Sequence, residues 1–196
     1  MTMRKMTLAT VLVFATSANV FADDGSGANT TCPVSIATAI DAQVGPGASA
    51  QTDCLAKRDH IKVVAALNND DLASNGAGQQ VVNVDNMVAD YAKYGIVIGT
   101  GEDKGALVAV AYGDGARWLL TKDAYVAKVD SAATDNPSRA RVEQLIAKGV
   151  KFYMCQNTMK SKKYAPGDLI ANVRMVPAGV TAVIDFENRG YKYISP

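Results

Sequence analysis

Three short, almost wholly apolar runs set among stretches patterned for helices constrain this chain more than any other feature. Ile61-Lys62-Val63-Val64-Ala65-Ala66-Leu67, residues 106–112 and Val150-Lys151-Phe152-Tyr153-Met154-Cys155 read as strands buried on both faces. Residues 68–80 are polar and contain Ser74-Asn75-Gly76, which predicts a loop. Val81, Val82, Val84, Met87, Val88 and Tyr91 then recur at helical spacing, with Gly95 where a C-terminal glycine would sit. Asn136-Pro137-Ser138 opens another helix with Pro137 in its first turn, Val142, Leu145 and Ile146 as its buried stripe and Gly149 at its end. A helix follows Cys155 and breaks at residues 164–167. Residues 173–176 predict a fourth strand. Pro177-Ala178-Gly179 leads into a helix carrying Val180, Val183, Ile184 and Phe186, and residues 191–194, after Gly190, make a last strand. Strands alternating with helices predict an α/β fold: one three-layer α/β/α domain over residues 60–196, with a mainly parallel sheet of about five strands.

The region before that domain is of a different kind. Arg4 and Lys5 precede an apolar run at residues 6–16, and Val20 and Ala22 are small residues placed for cleavage before Asp23. Residues 1–22 therefore read as a secretory signal peptide, too short in its apolar part for a span of about 20 residues. The expected location is the periplasm, with no membrane span once the leader is removed. Residues 23–59 form an Ala-, Gly-, Ser- and Thr-rich extension holding Cys32 and Cys54. In an oxidising compartment three pairings are open among Cys32, Cys54 and Cys155. Context favours Cys32–Cys54, a closure that stabilises by roughly 3 kcal/mol in the chain-entropy model and suits a segment with little core of its own. Cys155 is then free.

Composition removes several functions. With 20 Lys+Arg against 19 Asp+Glu the chain lacks the basic excess of a nucleic-acid binder. One histidine and three cysteines are too few for a zinc site of several His and Cys ligands, so no metal and no cofactor is expected. Met154, Met159 and Met175 read as core residues, and Trp118 with Leu119 and Leu120 as a helix-packing or subunit contact. Residues 99–105 are glycine-rich but lack the Gly-Lys-Ser/Thr ending and precede a strand, so they read as a solvated turn.

That leaves Cys155 as the candidate reactive group. It ends one strand and opens the next helix, and in a parallel sheet ligands gather beyond the carboxyl ends of the strands. Free N–H groups at a helix start lower a thiol pKa, and Lys160, Lys162 and Lys163 follow within two turns. A buried core thiol is the competing reading. A Cys–His hydrolase is rejected because His60 precedes the first strand, at the opposite sheet edge from Cys155. Residues expected beside Cys155 are Tyr112, Gly113, Asp114, Gln156, Asn157 and Lys160, with Trp118 and Tyr193 as further candidates for the pocket wall. Asp114 is expected to form the turn more than to orient a ligand.

From about Lys62 to Pro196 the chain resembles the DsrE/DsrF-like family of sulfur-handling proteins. The resemblance rests on Lys148-Gly149-Val150-Lys151-Phe152-Tyr153-Met154-Cys155-Gln156-Asn157-Thr158, on Asp168-Leu169-Ile170, on Val176-Pro177-Ala178-Gly179-Val180 and on Gly190-Tyr191-Lys192-Tyr193-Ile194. The Ala111-Tyr112-Gly113-Asp114-Gly115 turn is similar to a glycine turn of the family. The order and spacing of these short stretches carry the match. It implies a compact α/β/α domain assembling into homo-oligomers. It also implies, from the sulfur-relay members, a persulfide carried at the position of Cys155 and exchanged with a donor or acceptor protein. The leader and the Cys32/Cys54 extension depart from those members, which work in the reducing cytoplasm. Two functions follow as expectations. One is a periplasmic carrier that holds sulfane sulfur on Cys155 and passes it to an acceptor thiol. The other is a non-catalytic homo-oligomeric module that binds a small ligand or a protein and uses Cys155 structurally.

Overall fold

The computed structural model describes residues 61–93, 96–99 and 106–196. The leader, the extension with Cys32 and Cys54, His60, Gly95 and residues 100–105 of the glycine-rich turn lie outside the described residues. Within them the expected alternation is present. β1 (Lys62–Leu67) is followed by α1 (Gln79–Lys93), β2 (Ala106–Ala111), a 3-10 turn (Gly113–Leu119), α2 (Lys122–Lys128) and α3 (Arg139–Ala147). Then come β3 (Lys151–Cys155), α4 (Gln156–Lys162), a short 3-10 turn (Pro166–Asp168), β4 (Arg174–Val176), α5 (Gly179–Asn188) and β5 (Lys192–Ile194). The five strands form one sheet in the order β4-β3-β2-β1-β5. Every neighbouring pair is parallel, β1 and β2 matching from Lys62↔Ala106 to Leu67↔Ala111.

Because successive side chains of a strand point to opposite faces, parity along each strand sorts the apolar residues into two layers. Val63, Ala65 and Leu67 of β1, Leu107, Ala109 and Ala111 of β2, and Phe152 and Met154 of β3 share the larger cluster. Val81, Val84 and Val88 of α1, Val142 and Leu145 of α3, Tyr125 of α2 and Met159 of α4 pack on it. The other parity carries Val64, Val108 and Val110, which meet Ala182 and Val183 of α5, with Tyr112, Tyr153, Phe186 and Tyr191 at the margin. Four described helices thus cover one face and α5 covers the other. Two apolar residues of α5 stand open to its outer side, Val180 at 61% and Ile184 at 51% exposure, among exposed polar ones. No helix among the described residues is long and apolar enough to cross a membrane.

Several local expectations are corrected. Pro137 lies one residue before the N-cap Ser138 of α3 instead of inside its first turn. The reason is that the flanking polar groups hold a turn there. Asn136 Oδ1 accepts from the Ser138 N–H at 3.0 Å, its amide donates to the carbonyls of Trp118 (3.1 Å) and Leu120 (2.7 Å), and Ser138 Oγ accepts from the Gly78 N–H at 2.8 Å. Trp118 is no subunit contact. It is 1% exposed, stacks on Tyr125 with centroids 6.2 Å apart, and donates from Nε1 to the Asn69 carbonyl at 3.1 Å. The indole lies so close over Gly78 that a Cβ there would sit 2.6 Å from Cε2. Met154 and Met159 are buried as expected, but Met175 is exposed on the edge strand β4. The 3-10 turn and α2 carry no apolar periodicity long enough to be read from sequence.

Two interactions tie the segment after β2 to the sheet. Gly115 passes so close to the end of β1 that a Cβ would lie 2.3 Å from the Leu67 carbonyl oxygen. Asp168 pairs with Lys128 of α2 and accepts from the Ala165 N–H at 2.6 Å, and these bonds, Lys128 first, hold its carboxyl below the usual carboxylate range. Gly115→Ala therefore destabilises by about 1–3 kcal/mol, since backbone must move to admit the methyl. Gly167→Ala, with open space at its Cβ, stays within about 0.5 kcal/mol of the parent. Urea unfolding with unchanged m-value separates the two. Asp168→Asn lowers stability by on the order of 1 kcal/mol near neutrality. A depressed carboxyl pKa stabilises above the unfolded value and loses that contribution as pH falls through the folded one. The gap between parent and variant, read by unfolding at stepped pH, is then widest above the ordinary carboxylate range at about pH 4 and closes as pH falls below that range.

Candidate functional site

Cys155 is the last residue of β3 and the N-cap of α4, with extended φ/ψ of −71° and 118°. Its parity is that of Tyr153, not of Phe152 and Met154, so its sulfur faces the α5 side of the sheet. Parallel pairing sets Cys155 beside Val176 of β4, and Pro177-Ala178 then turns the chain into α5. The first residue of that helix, Gly179, donates its N–H to Cys155 Sγ at 3.1 Å in a buried bond. Cys155 as a whole is 4% exposed.

Electrostatically the thiol is pulled in two directions. Burial alone pushes its pKa up. The Thr158 N–H and hydroxyl, the Gly179 N–H and the Asn157 N–H outweigh burial and hold the thiol below its ordinary range. The Gly179 bond is the aligned one. The Asn157 and Thr158 groups do not complete a capping bond to the side chain and act on it as nearby positive dipole ends. A sulfur that is buried and yet held below its ordinary pKa differs from an inert core thiol, for which burial acts unopposed.

The expected neighbours divide into those at the sulfur and those beyond it. Tyr112 follows β2 and packs against the start of α5, where a Cβ on Gly179 would stand 2.9 Å from Tyr112 Cβ and Cδ1. Burial first, then the neighbouring Tyr193, raise its phenol above the ordinary range, with Asn68 acting in the opposite sense. Tyr112 and Tyr193 thus share this face. Gly113, at φ +56° and with its Cα facing the Asn68 carbonyl, donates its N–H to Thr158 Oγ1 at 3.1 Å and fastens the β2 turn to α4. Asp114 is exposed and paired with Lys162 at 2.7 Å, with Arg117 at 3.8 Å, and these cations hold its carboxyl below the usual range. It latches the turn to α4. Gln156 and Asn157 are exposed in the first turn of α4, Asn157 presenting its backbone toward the sulfur. Lys160 lies with Lys162 in the last turn of α4, at the end where cations complement free carbonyls. Trp118 belongs to the core of the opposite face and does not line the site.

Two residues at the sulfur escaped the sequence reading as site residues. Gly179 arrives from a strand and a turn away, and the only hint was its place after Pro177-Ala178. Thr158 was visible as the third helical position after an N-cap, where an N–H faces the capping side chain. Two cavities lie elsewhere. One, of about 250 Å³, opens at the amino ends of β3 and β4 between Lys151 and Arg174, and another, of about 320 Å³, lies between α1 and residues 96–98. Neither touches Cys155, whose surroundings are a closed cradle of backbone donors.

The geometry finds relatives. Among solved structures, the protein of unknown function MTH1491 from Methanobacterium thermoautotrophicum is similar at 25% identity and a TM-score of 0.50, over 69% of this chain and 99% of that one. The YchN protein from E. coli is similar at 12% identity and a TM-score of 0.47, over 69% of this chain and 97% of its own. No curated protein matches the sequence. The model of the DsrE/DsrF-like family matches residues 62–196, from the first residue of β1 to the C-terminal residue given, and the chain therefore belongs to the DsrE/DsrF-like, sulfur-relay related family.

Proposed function

We propose that this chain is an exported sulfur-handling protein in which Cys155 accepts a sulfane sulfur and passes it to an acceptor thiol. The observation that carries the reading is the cradle itself, in which the Gly179 N–H bonds Sγ at 3.1 Å and the start of α4 adds to it, so that a buried sulfur is held toward its thiolate. The thiolate attacks the outer sulfur of a donor persulfide, R–S–SH. A bond forms between Sγ and that sulfur, the R–S to sulfur bond breaks, and R–S⁻ leaves with the electron pair and takes up a proton. The acceptor thiolate then attacks the outer sulfur, and Sγ leaves as thiolate. No metal, external oxidant or general base is required by either exchange.

Arg4, Lys5, the apolar run 6–16 and Ala22 support export to the periplasm, and the spacing of Cys32 and Cys54 supports a disulfide in the mature extension. Exposed Val180 and Ile184 on α5 support self-association. The second reading is a binding module with a structural Cys155, and the 4% exposure of that residue favours it.

One experiment separates the two. The mature protein is incubated with a low-molecular-weight persulfide, and its intact mass and a non-reducing peptide map are recorded. A gain of one sulfur atom on the Cys155 peptide, absent in Cys155→Ser, together with a Cys32–Cys54 cross-linked peptide, is the expected result. A Cys155 that gains no sulfur and resists a small alkylating reagent until the protein is unfolded overturns the carrier reading in favour of the binding module.

A further inference from the structure

The cradle holds one donor whose position depends on another element, and this assigns a role to a residue outside the strand–helix junction that bears the thiol. We infer that Gly179 is a positioning residue of Cys155, its backbone N–H adding to the thiolate character that Thr158 and Asn157 also favour, with Tyr112 fixing where that N–H stands. The inference rests on the reading of Cys155 as the reacting sulfur and deepens it.

The geometry is specific. Gly179 is the first residue of a ten-residue helix, so its N–H has no partner within α5 and is free to bond outside it. It is spent on Sγ at 3.1 Å, with both groups buried. A hydrogen bond to a charged acceptor is stronger than one to a neutral acceptor, and a thiol sulfur is a weak acceptor. The bond therefore favours the thiolate over the thiol. Tyr112 fits against the glycine so tightly that any Cβ there would stand 2.9 Å from the tyrosine Cβ and Cδ1. Glycine at this position is thus a condition for the helix start to come within reach of the sulfur.

The consequence extends to both halves of sulfur exchange. In loading, the N–H raises the fraction of attacking thiolate. In unloading, Sγ is the leaving group, and a leaving thiol of lower pKa departs faster. The same donor serves both steps because it bonds Sγ and not the outer sulfur.

Ala178 before the glycine is extended, at φ −138° and ψ 127°, which is the conformation required of a residue preceding proline, and proline is favoured at the first position of a helix. Gly179→Pro therefore removes the donor while leaving the helix start intact, provided that the ring is given room. Two double variants make the comparison: Tyr112→Gly with Gly179→Ala, which keeps the N–H, and Tyr112→Gly with Gly179→Pro, which lacks it, the glycine at 112 being needed because the tyrosine Cβ itself would stand 2.9 Å from the new Cβ. Ionisable side chains on the packed elements, Tyr153, Lys160 and the paired Asp114 and Lys162, are common to both. The readout is the Cys155 pKa from thiolate ultraviolet absorbance across pH. The expected result is a pKa higher by about one unit or more in the proline variant, a tenfold gain in proton affinity. Equal pKa values in the two overturn the inference.

If the proline variant does not fold, the wild-type protein decides: the Gly179 amide NMR resonance should titrate with the thiol and cease to do so in Cys155→Ser, and an amide indifferent to that titration overturns the assignment. Sulfur loading of the wild type, read by mass, is scored separately. A loaded Cys155 with an indifferent Gly179 amide removes this inference alone. A titrating Gly179 amide on a Cys155 that never loads removes the carrier reading alone.

Discussion

In a sheet whose strands all run the same way, every strand leaves at one edge, and the site depends on that constraint. β2, β3 and β4 are adjacent, with Ala111 paired to Met154 and Cys155 paired to Val176. Their exits therefore converge although they lie far apart along the chain. The first exit supplies Tyr112 and Gly113, the second Cys155, Asn157 and Thr158, and the third Gly179. Each contributes something the others cannot: a packing surface, a thiol with a helix start, and an aligned donor. An antiparallel partner at any of the three places would send one of these groups to the far edge, about 15 Å away for a five-residue strand.

Parity adds a second constraint. A one-residue shift in β3 would turn Cys155 toward the crowded face, where Phe152 and Met154 meet α3 and α4. There it would be a core thiol. On the α5 side it meets a single helix whose first turn stands over it. The two faces are unequal: the large cluster carries the stability, and the thin one carries the sulfur. The latches between the β2 turn and α4, Gly113 to Thr158 and Asp114 to Lys162, hold the site from the stable side.

Much of this was legible in the sequence and part was not, for definite reasons. The five strands, α1, α3 and α5 were readable because apolar runs and helical spacing are local signals. The placement of Cys155 at a strand end followed from Met154 and Cys155 closing an apolar run just before a polar stretch. Trp118 was left open between helix packing and a subunit contact because a large aromatic beside two leucines looks alike in a core and at an interface. Its burial is decided by Gly78 and Asn69, some 40 and 49 positions earlier. The lysines after Cys155 looked like a source of positive potential, yet Lys162 is taken up by Asp114, a pairing between distant turns that spacing does not reveal. Gly179 was hidden for the same reason: its role is a backbone group, and backbone groups have no residue signature.

That last point bears on how a buried cysteine is weighed. Burial is commonly taken as a sign that a thiol is structural, since desolvation raises its pKa and closes it to reagents. In the proposed carrier, burial and reactivity have one origin. The donors that favour the thiolate can do so strongly only because water is kept out, for in a low-dielectric setting the same N–H groups act on a charge far more than at the surface. Exposing Cys155 further would ease access and at the same time weaken the dipoles that lower its pKa. An exchange reaction can tolerate the enclosed arrangement, because the sulfur transferred is a single atom at the end of its carrier and needs an approach along the S–S axis, not an open cleft. A cysteine 4% exposed, with an aligned donor 3.1 Å from its sulfur, fits that economy.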